Sequence, residues 1–219
     1  EITKLLNSRE VYIAPMVNPD GAMYDIKGRK YKSWRKNRAI NSGSSAIGVD
    51  LNRNYSFGWG TGGSSRSPRS DVFMGPKPFS EPETLAVKTF VESKPNIRIL
   101  LTYHTFSELI LYPWGGKNDG VGGKDQKVYE KMATTMAKWN GYKPEQASDL
   151  YIASGDTCDW AYGAQNIFCF TFELSPKSMW RGGFYPGAKV IDRTFKVNVQ
   201  PALYLLKHAA NPYGVLSEF

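Results

Sequence analysis

The sequence predicts an α/β fold, a three-layer sandwich in which helices flank a mixed, largely parallel sheet. Apolar runs of strand length alternate along the chain with amphipathic stretches of helical length. The 219 residues, 41% of them hydrophobic and 14% aromatic, suffice to bury one sizeable core. We therefore expect residues 1–219 to form a single domain, with ligands bound where the strands end.

The first eighty residues are expected to be mostly irregular. EITKLL (1–6) has the character of a helix end, REVYIAPMV (9–17) reads as a nearly continuous apolar strand, and NPDG (18–21) reads as the turn that ends it. From there to about residue 80 the chain is rich in Gly, Ser, Asn and Arg. So long an irregular stretch inside a compact domain indicates a functional surface.

Strands and helices alternate after that stretch. Strands are predicted over residues 96–105, 107–115 and 166–174. The strand predicted over residues 96–105 is so continuously apolar that we do not expect it at the edge of the sheet. Helices are predicted over residues 80–94, 123–140 and 187–209. Ser80 is the expected N-cap of the first helix and Gly141 closes the second, while the third is expected to bend at its internal proline. The apolar residues of the first helix have the spacing of one face: Leu85, Phe90 and Val91.

Charge and cysteine content narrow the function classes. The net charge of +8 raises the question of a nucleic-acid partner, but only residues 27–38 form a dense basic cluster. We expect no nucleic acid and no membrane as partner, with DNA binding through residues 27–38 kept as an alternative. Cys158 and Cys169 have neither the CxxC spacing of a zinc site nor the density of a disulfide scaffold, and we expect free buried thiols.

Polar residues at strand ends and in loops are the candidates for a site. His104 and Glu173 fall near the ends of predicted strands, although either residue alone is more often structural. Asn52 and Arg53 are adjacent, and a carboxamide beside a guanidinium can grip a planar carboxylate. Arg35 is a second arginine that suits a developing oxyanion, and the loop 149–163 contains a Ser-Gly-Asp turn that opens a short helix.

Taken together, six blocks give the chain a family resemblance. In order and spacing it resembles the zinc metallocarboxypeptidases, the carboxypeptidase A and B family, and within it the bacterial carboxypeptidase T branch. The resemblance implies a secreted exopeptidase that removes C-terminal residues from peptides with the help of one zinc ion. The blocks are NPDG (18–21), SWRKNR (33–38), DLNRNY (50–55), YHTFSELILYPWG (103–115), DLYIASGDTCDWAYG (149–163) and FTFEL (170–174).

The resemblance implies a catalytic role for three residues. His104 matches the third zinc ligand of the family. Glu173 matches the general base that activates the zinc-bound water, and Arg35 matches the arginine that polarises the scissile carbonyl and stabilises the oxyanion.

The remaining matched residues are implied to bind the substrate. Asn52 and Arg53 match the pair that holds the free C-terminal carboxylate, and Tyr151 matches the mobile tyrosine that closes over the bound residue. The pocket for the terminal side chain is implied to be lined by Asp156, Cys158 and Thr171. Cys158 favours apolar or aromatic side chains there, whereas Asp156 is either a pocket charge that attracts Lys and Arg or a helix cap.

One departure from the family concerns the metal. In the family the other two zinc ligands come from an HxxE motif, and no HxxE occurs in this sequence, in which His208 is the only other histidine. We therefore expect the chain to match the C-terminal two thirds of a catalytic domain, with a sheet incomplete at its N-terminal side. Three possibilities stay open: a complementary N-terminal fragment supplies the zinc motif, the segment that carries it was cut off, or the chain is a metal-free, non-catalytic remnant that binds peptide C-termini.

Overall fold

A mixed four-stranded sheet forms the centre of the molecule. The computed structural model describes residues 2–28 and 30–218. The strands are β1 (Ile99–Thr105), β2 (Leu109–Tyr112), β3 (Lys143–Gln146) and β4 (Phe168–Leu174), in the order β1-β4-β2-β3. β1 runs parallel to β4 and β2 parallel to β3, whereas β2 and β4 are antiparallel. The predicted mixed, largely parallel sheet is confirmed, and β3 is a strand that the sequence patterns did not reveal.

The α-helices lie between and around the strands. They are α1 (Ile2–Leu6), α2 (Pro19–Ile26), α3 (Pro82–Glu92), α4 (Gly123–Asn140), α5 (Ala147–Leu150), α6 (Thr157–Gln165) and α7 (Ile191–His208). Short 3-10 turns cover Leu51–Arg53, Met179–Arg181, Ala188–Val190 and Pro212–Ser217. The predicted helix 123–140 is confirmed, and Gly141 ends it in the left-handed conformation (φ 72°).

The two faces of β4 divide the core into two layers. Successive side chains on a strand point to opposite faces. Phe168, Phe170 and Phe172 accordingly join the larger core formed with α4 and α7. Cys169 belongs to the second core, formed with residues of α3 and α6 such as Val91. Helices therefore cover both faces of the sheet, as the sandwich prediction requires.

β1 is an edge strand, contrary to the sequence prediction. β4 pairs with one side of β1, and no strand in the described residues pairs with the other. Tyr103 on this strand is 49% exposed, and the apolar run from Ile99 onward is only half-buried. A continuous apolar run indicates a strand with covered faces and neighbours on both sides, so the prediction failed because the second neighbour is not among the described residues.

The predicted strand 9–17 and its turn are also corrected. Residues 9–17 form no sheet ladder, and Ile13 within them is 82% exposed. A strand needs a hydrogen-bonded neighbour, and the described residues offer this segment none. NPDG is the start of α2, where the Asn18 side chain caps the helix by accepting a hydrogen bond from Gly21 N at 3.0 Å.

Helix α3 begins later than predicted. Its N-cap is Glu81, while the Ser80 hydroxyl donates to the Glu81 carboxylate at 2.7 Å. Its buried positions include Val91, but Leu85 and Phe90 are 47% and 41% exposed. The helix therefore buries a narrower stripe than the apolar spacing indicates.

The two cysteines form a disulfide, which corrects the expectation of free thiols. Cys158 in the first turn of α6 is bonded to Cys169 in β4, with 5.1 Å between their Cα atoms. That separation lies in the range that disulfides span. Sequence spacing alone does not reveal this pairing, because it depends on how α6 packs against β4.

Candidate active site

One cavity collects eight of the nine residues that the sequence singled out. It has a volume of about 240 Å³ and lies at the carboxyl ends of β1 and β4, where α/β sheets bind ligands. The eight residues are Arg35, Asn52, Arg53, His104, Tyr151, Asp156, Thr171 and Glu173.

His104 and Glu173 are neighbours across the sheet. They are register partners on the parallel strands β1 and β4. Burial raises the pKa of Glu173 to about 7, and the positive charge of Arg35 only partly opposes this. Burial, with Arg35 again, lowers the pKa of His104 to about 4. Near neutral pH the cleft therefore holds an uncharged imidazole beside a carboxyl group that readily exchanges a proton.

Arg35 is held by a buried aspartate that the sequence analysis missed. Its Nε donates to Asp50 Oδ2 at 2.7 Å, and Asp50 Oδ1 also accepts from Asn52 N at 3.2 Å. Burial alone would lower the pKa of Arg35, but the Asp50 carboxylate outweighs it and the pKa lies above its ordinary value. Arg35 is thus a fixed cation in the cleft. In the sequence, Asp50 is the first residue of the DLNRN block, and that position was the signal that could have identified it.

Arg53 is buried and anchored through backbone carbonyls. Its Nε donates to Gly63 O at 3.0 Å and its Nη1 donates to Asn52 O at 2.7 Å. Gly63 has a φ of 60°, and a Cβ at that position would overlap the carbonyl of Ile152. Only glycine therefore lets the backbone approach closely enough to hold the guanidinium in this orientation.

Tyr151 lies at the mouth of the cleft. It is 50% exposed and follows the last residue of α5 in extended conformation. Its ring centre is 5.8 Å from the Arg53 guanidinium carbon, close enough for a cation–π contact. An exposed aromatic ring next to an anchored cation is well placed to cover a small bound anion.

Asp156 is both a helix cap and a pocket carboxylate. Its Oδ1 accepts hydrogen bonds from Cys158 N at 2.8 Å and Asp159 N at 3.0 Å, which caps α6. Its Oδ2 is buried without a hydrogen-bond partner among the described residues. Burial, reinforced by the neighbouring Asp159 carboxylate, raises the pKa of Asp156 to about 7. The two interpretations of this residue are therefore compatible, because each oxygen has its own surroundings.

Cys158 does not line the cavity, which corrects its predicted place in the pocket. Its sulfur is committed to the disulfide, and the residue is only 5% exposed. The hydroxyl of Thr171, which does line the cavity, lies 3.3 Å from Cys158 Sγ. Thr171 thus forms the wall, and the disulfide lies behind it.

Other cavity residues escaped the sequence analysis. Phe106 and Phe184 line it and pack edge to face, with ring centres 4.9 Å apart. Asp159, which does not itself line the cavity, accepts hydrogen bonds from the backbone of Gly115 and Gly116, both at 2.8 Å, and so fixes the loop after β2, of which Gly115 forms part of the wall. Phe184 comes from an irregular segment distant in sequence, and no local pattern marked it.

The described residues do not form a complete metal site. No group of three or more His, Cys, Asp and Glu side chains within 2–28 and 30–218 is arranged to hold a metal ion. His104 offers one ligand in the cavity, whereas His208 is buried in the last turn of α7, with its Nε2 3.5 Å from Glu218. Catalytic zinc needs about three protein ligands. The described part of the chain therefore does not supply all of them.

Comparison with known proteins identifies the family. The sequence profile described as "Zinc carboxypeptidase" matches residues 1–200. The chain belongs to the zinc carboxypeptidase family. A zinc carboxypeptidase of Saccharothrix mutabilis subsp. capreolus is 41% identical over 199 residues, which cover 87% of this chain and 45% of that protein. Human carboxypeptidase A5 is 32% identical over 219 residues, 97% of this chain and 49% of that protein.

A solved structure agrees with this zinc carboxypeptidase fold. The crystal structure of thrombin-activatable fibrinolysis inhibitor superimposes with a TM-score of 0.87 at 29% identity, covering 95% of this chain and 53% of that one. The chain thus spans about half the length of the curated relatives that it matches.

The basic cluster 27–38 is not an open cationic surface throughout. Lys36 is buried and donates to Pro68 O at 2.7 Å. The Arg38 guanidinium stacks on Tyr24 and Trp34, 3.6 Å and 4.6 Å from their ring centres. Arg29 of this cluster lies outside the described residues.

No helix among the described residues is both long and apolar enough to cross a membrane.

Proposed function

We propose that this chain carries the substrate-binding and proton-transfer groups of a zinc-dependent carboxypeptidase that hydrolyses the C-terminal peptide bond of peptides. The observation that supports this most is the composition of the cleft. Two anchored arginines and an asparagine that suit an anion share one cavity with Glu173, whose carboxyl group has a pKa of about 7. Cations that bind a carboxylate, next to a group that accepts a proton, suit hydrolysis of the bond beside that carboxylate.

Each residue has a role in this proposal. Arg53 and Asn52 bind the terminal carboxylate, and Tyr151 covers it. Glu173 takes a proton from the attacking water as the water oxygen bonds to the scissile carbonyl carbon. Arg35 stabilises the negative charge that develops on the carbonyl oxygen. When the carbon–nitrogen bond breaks, Glu173 returns the proton to the leaving amine.

Zinc would be held in part by His104, and when bound it supplies Lewis-acid polarisation. Because the described residues offer no complete set of ligands, the proposal places the rest on an N-terminal segment outside this chain. One edge of β1, which bears His104, has no strand neighbour in the described part of the chain, and this supports a complementary segment at that edge. We further propose secretion, which the disulfide supports because disulfides persist in oxidising compartments.

The pocket supports broad specificity. Thr171 and the apolar wall residue Leu111 suit an apolar terminal side chain, while the unpartnered Asp156 Oδ2 suits a Lys or Arg. Cell-wall peptides of bacteria stay within this proposal as substrates.

A second candidate is a non-catalytic module that recognises peptide C-termini. The observation that favours it is the single imidazole that the described part of the chain brings to the cleft. Asn52 and Arg53 then act alone, without any reaction.

The deciding experiment measures binding and hydrolysis of N-benzoylglycyl-L-phenylalanine with and without a chelator. Arg53→Ala should weaken binding by roughly tenfold or more, because a charge-assisted contact to the carboxylate is lost. Arg98→Ala, at an exposed arginine outside the cleft, is the matched control.

The outcomes separate the two candidates. Zinc-dependent release of phenylalanine that Glu173→Gln abolishes supports the peptidase. Binding that survives chelation without release supports the recognition module. Unchanged binding in Arg53→Ala contradicts both.

A further inference from the structure

The orientation of the Asn52 side chain is set by a single neighbour. Asn52 Oδ1 accepts two hydrogen bonds from Thr157, one from its backbone N–H at 3.0 Å and one from its hydroxyl at 3.0 Å. Both lone-pair directions of that oxygen are therefore used within the protein.

Thr157 has a free donor because of where it lies in α6. The first N–H groups of a helix have no acceptor within the helix. Asp156 Oδ1 takes the N–H groups of Cys158 and Asp159. The N–H of Thr157, the first residue of the helix, is left over and donates to Asn52. The hydroxyl then adds a second donor to the same oxygen.

The two orientations of a carboxamide are chemically opposite, because one side accepts hydrogen bonds and the other donates them. With Oδ1 bound to Thr157, the NH₂ group of Asn52 is the side available to the cavity that this residue lines. We infer that Thr157 is a positioning residue, which fixes the Asn52 amide so that a donor meets the carboxylate of the substrate. The inference rests on the proposed function.

The consequence is selectivity for a free acid over an amide. A flipped Asn52 would present its oxygen to a carboxylate, which repels it, but would accept a hydrogen bond from a terminal carboxamide. Thr157 therefore holds the Asn52 amide in the orientation that strengthens binding of the acid and weakens binding of the amide. Discrimination of this kind comes from leaving polar groups unpaired with the wrong ligand.

The test compares N-benzoylglycyl-L-phenylalanine with its C-terminal amide as ligands of the 219-residue chain, by calorimetry. Thr157→Val removes the hydroxyl donor and keeps the side-chain shape. It should lower the acid-to-amide affinity ratio by about fivefold, the weight of one hydrogen bond. Thr157→Ser restores the donor and should restore the ratio. Thr89→Val, at an exposed position of α3, is the matched control and should change nothing.

A second measurement does not depend on ligand binding. A scalar coupling across the hydrogen bond, from the Thr157 amide nitrogen to the Asn52 carboxamide carbon, should be detectable by NMR in the wild-type chain. Absence of this coupling overturns the inference. So does a Thr157→Val protein in which acid and amide lose affinity equally, since that result indicates general damage.

Failure of the inference and of the proposed function can be told apart. A wild-type chain that binds acid and amide equally contradicts the proposed function, and the NMR coupling still decides whether Thr157 fixes the amide. A wild-type chain that prefers the acid, with an unchanged ratio in Thr157→Val, leaves the proposed function standing and overturns only the role of the Thr157 hydroxyl, since the variant keeps the backbone donor.

Discussion

At the scale of single residues, buried ionisable groups concentrate in the cleft. Asp156 and Glu173 both have a pKa near 7 because burial penalises their charged forms. Oδ1 of Asp156 accepts the hydrogen bonds that cap α6, whereas Oδ2 has no hydrogen-bond partner among the described residues. Glu173 faces Arg35 in the same cavity. Perturbed carboxyl groups in a cleft are typical of functional sites.

The first prediction concerns the pH dependence of ligand choice. The raised pKa means that Asp156 is mostly neutral at about pH 6 and mostly ionised at about pH 8. If only the carboxylate pairs with a basic side chain, affinity for N-benzoylglycyl-L-lysine should rise by about tenfold over that interval, in step with the ionised fraction. Calorimetric titrations at both pH values measure it.

The phenylalanine ligand is the control for this titration. Glu173 ionises over the same range and affects both ligands alike, so the lysine-to-phenylalanine affinity ratio isolates Asp156. In Asp156→Asn the ratio should be flat with pH. A ratio that still rises in that variant would assign the effect to another group.

Sequence reasoning reached most of the site because the roles fall on contiguous blocks. Asn52 and Arg53 are adjacent in the sequence. His104 and Glu173 each fall at the end of an apolar run of strand length, so both features are visible as local patterns. Thr157 and Phe184 were missed because their importance comes from packing between distant segments. The assigned chemical roles of all these residues stay predictions.

At the scale of elements, the contact of α6 with β4 builds one wall of the cleft. The disulfide joins the first turn of α6 to the start of β4, and its Cys158 sulfur lies next to Thr171. Trp160 and Ala161 of the same helix are buried in the second core. The helix that caps the pocket is thus held covalently and by packing.

The second prediction is that this disulfide contributes about 3 kcal/mol to stability, the value for a short closed loop. The cysteines are 11 residues apart. Urea denaturation of the chain with and without a reductant measures the change in the free energy of unfolding. The Cys158→Ser, Cys169→Ser double variant should match the reduced protein and should not respond to reductant. A wild-type chain indifferent to reductant would contradict the bond.

The third prediction concerns the end of α4. Gly141 has a φ of 72°, and nothing lies within 4 Å of the place a Cβ would occupy. Gly141→Ala should therefore cost about 1 kcal/mol through backbone conformation alone. Gly141→Asn, which tolerates this conformation better, should cost less. Thermal unfolding measures both, and equal losses would contradict the conformational explanation.

Helix α4 also shows why some elements were predictable and others were not. Its apolar period and closing glycine are local signals, and its limits matched the prediction. The strand β3, with the sequence KPEQ, has no such signal and exists because β2 offers it a parallel edge. The segment 9–17 failed in the opposite sense, since its strand pattern meets no partner among the described residues.

At the scale of the whole molecule, two features of the described residues lie together: the unpaired edge of β1 and an incomplete set of metal ligands. β1 bears His104 and has one described neighbour, β4. An apolar strand with an unpaired edge favours association with another strand. The chain also spans only about half the length of its curated relatives. A segment that pairs with β1 would therefore arrive beside the one imidazole of the cleft.

The fourth prediction follows from that arrangement and is measured as zinc per chain by elemental mass spectrometry. The isolated chain should hold close to no zinc, because one histidine falls short of the roughly three ligands that catalytic zinc needs. Co-expressed with the region of its relatives that it does not cover, it should hold about one zinc per complex. His104→Ala should abolish this gain, whereas His208→Gln, at a histidine outside the cleft, should not. Stoichiometric zinc on the isolated chain that survives His104→Ala would show that the metal binds elsewhere, and His104 would then be a structural residue at the end of β1.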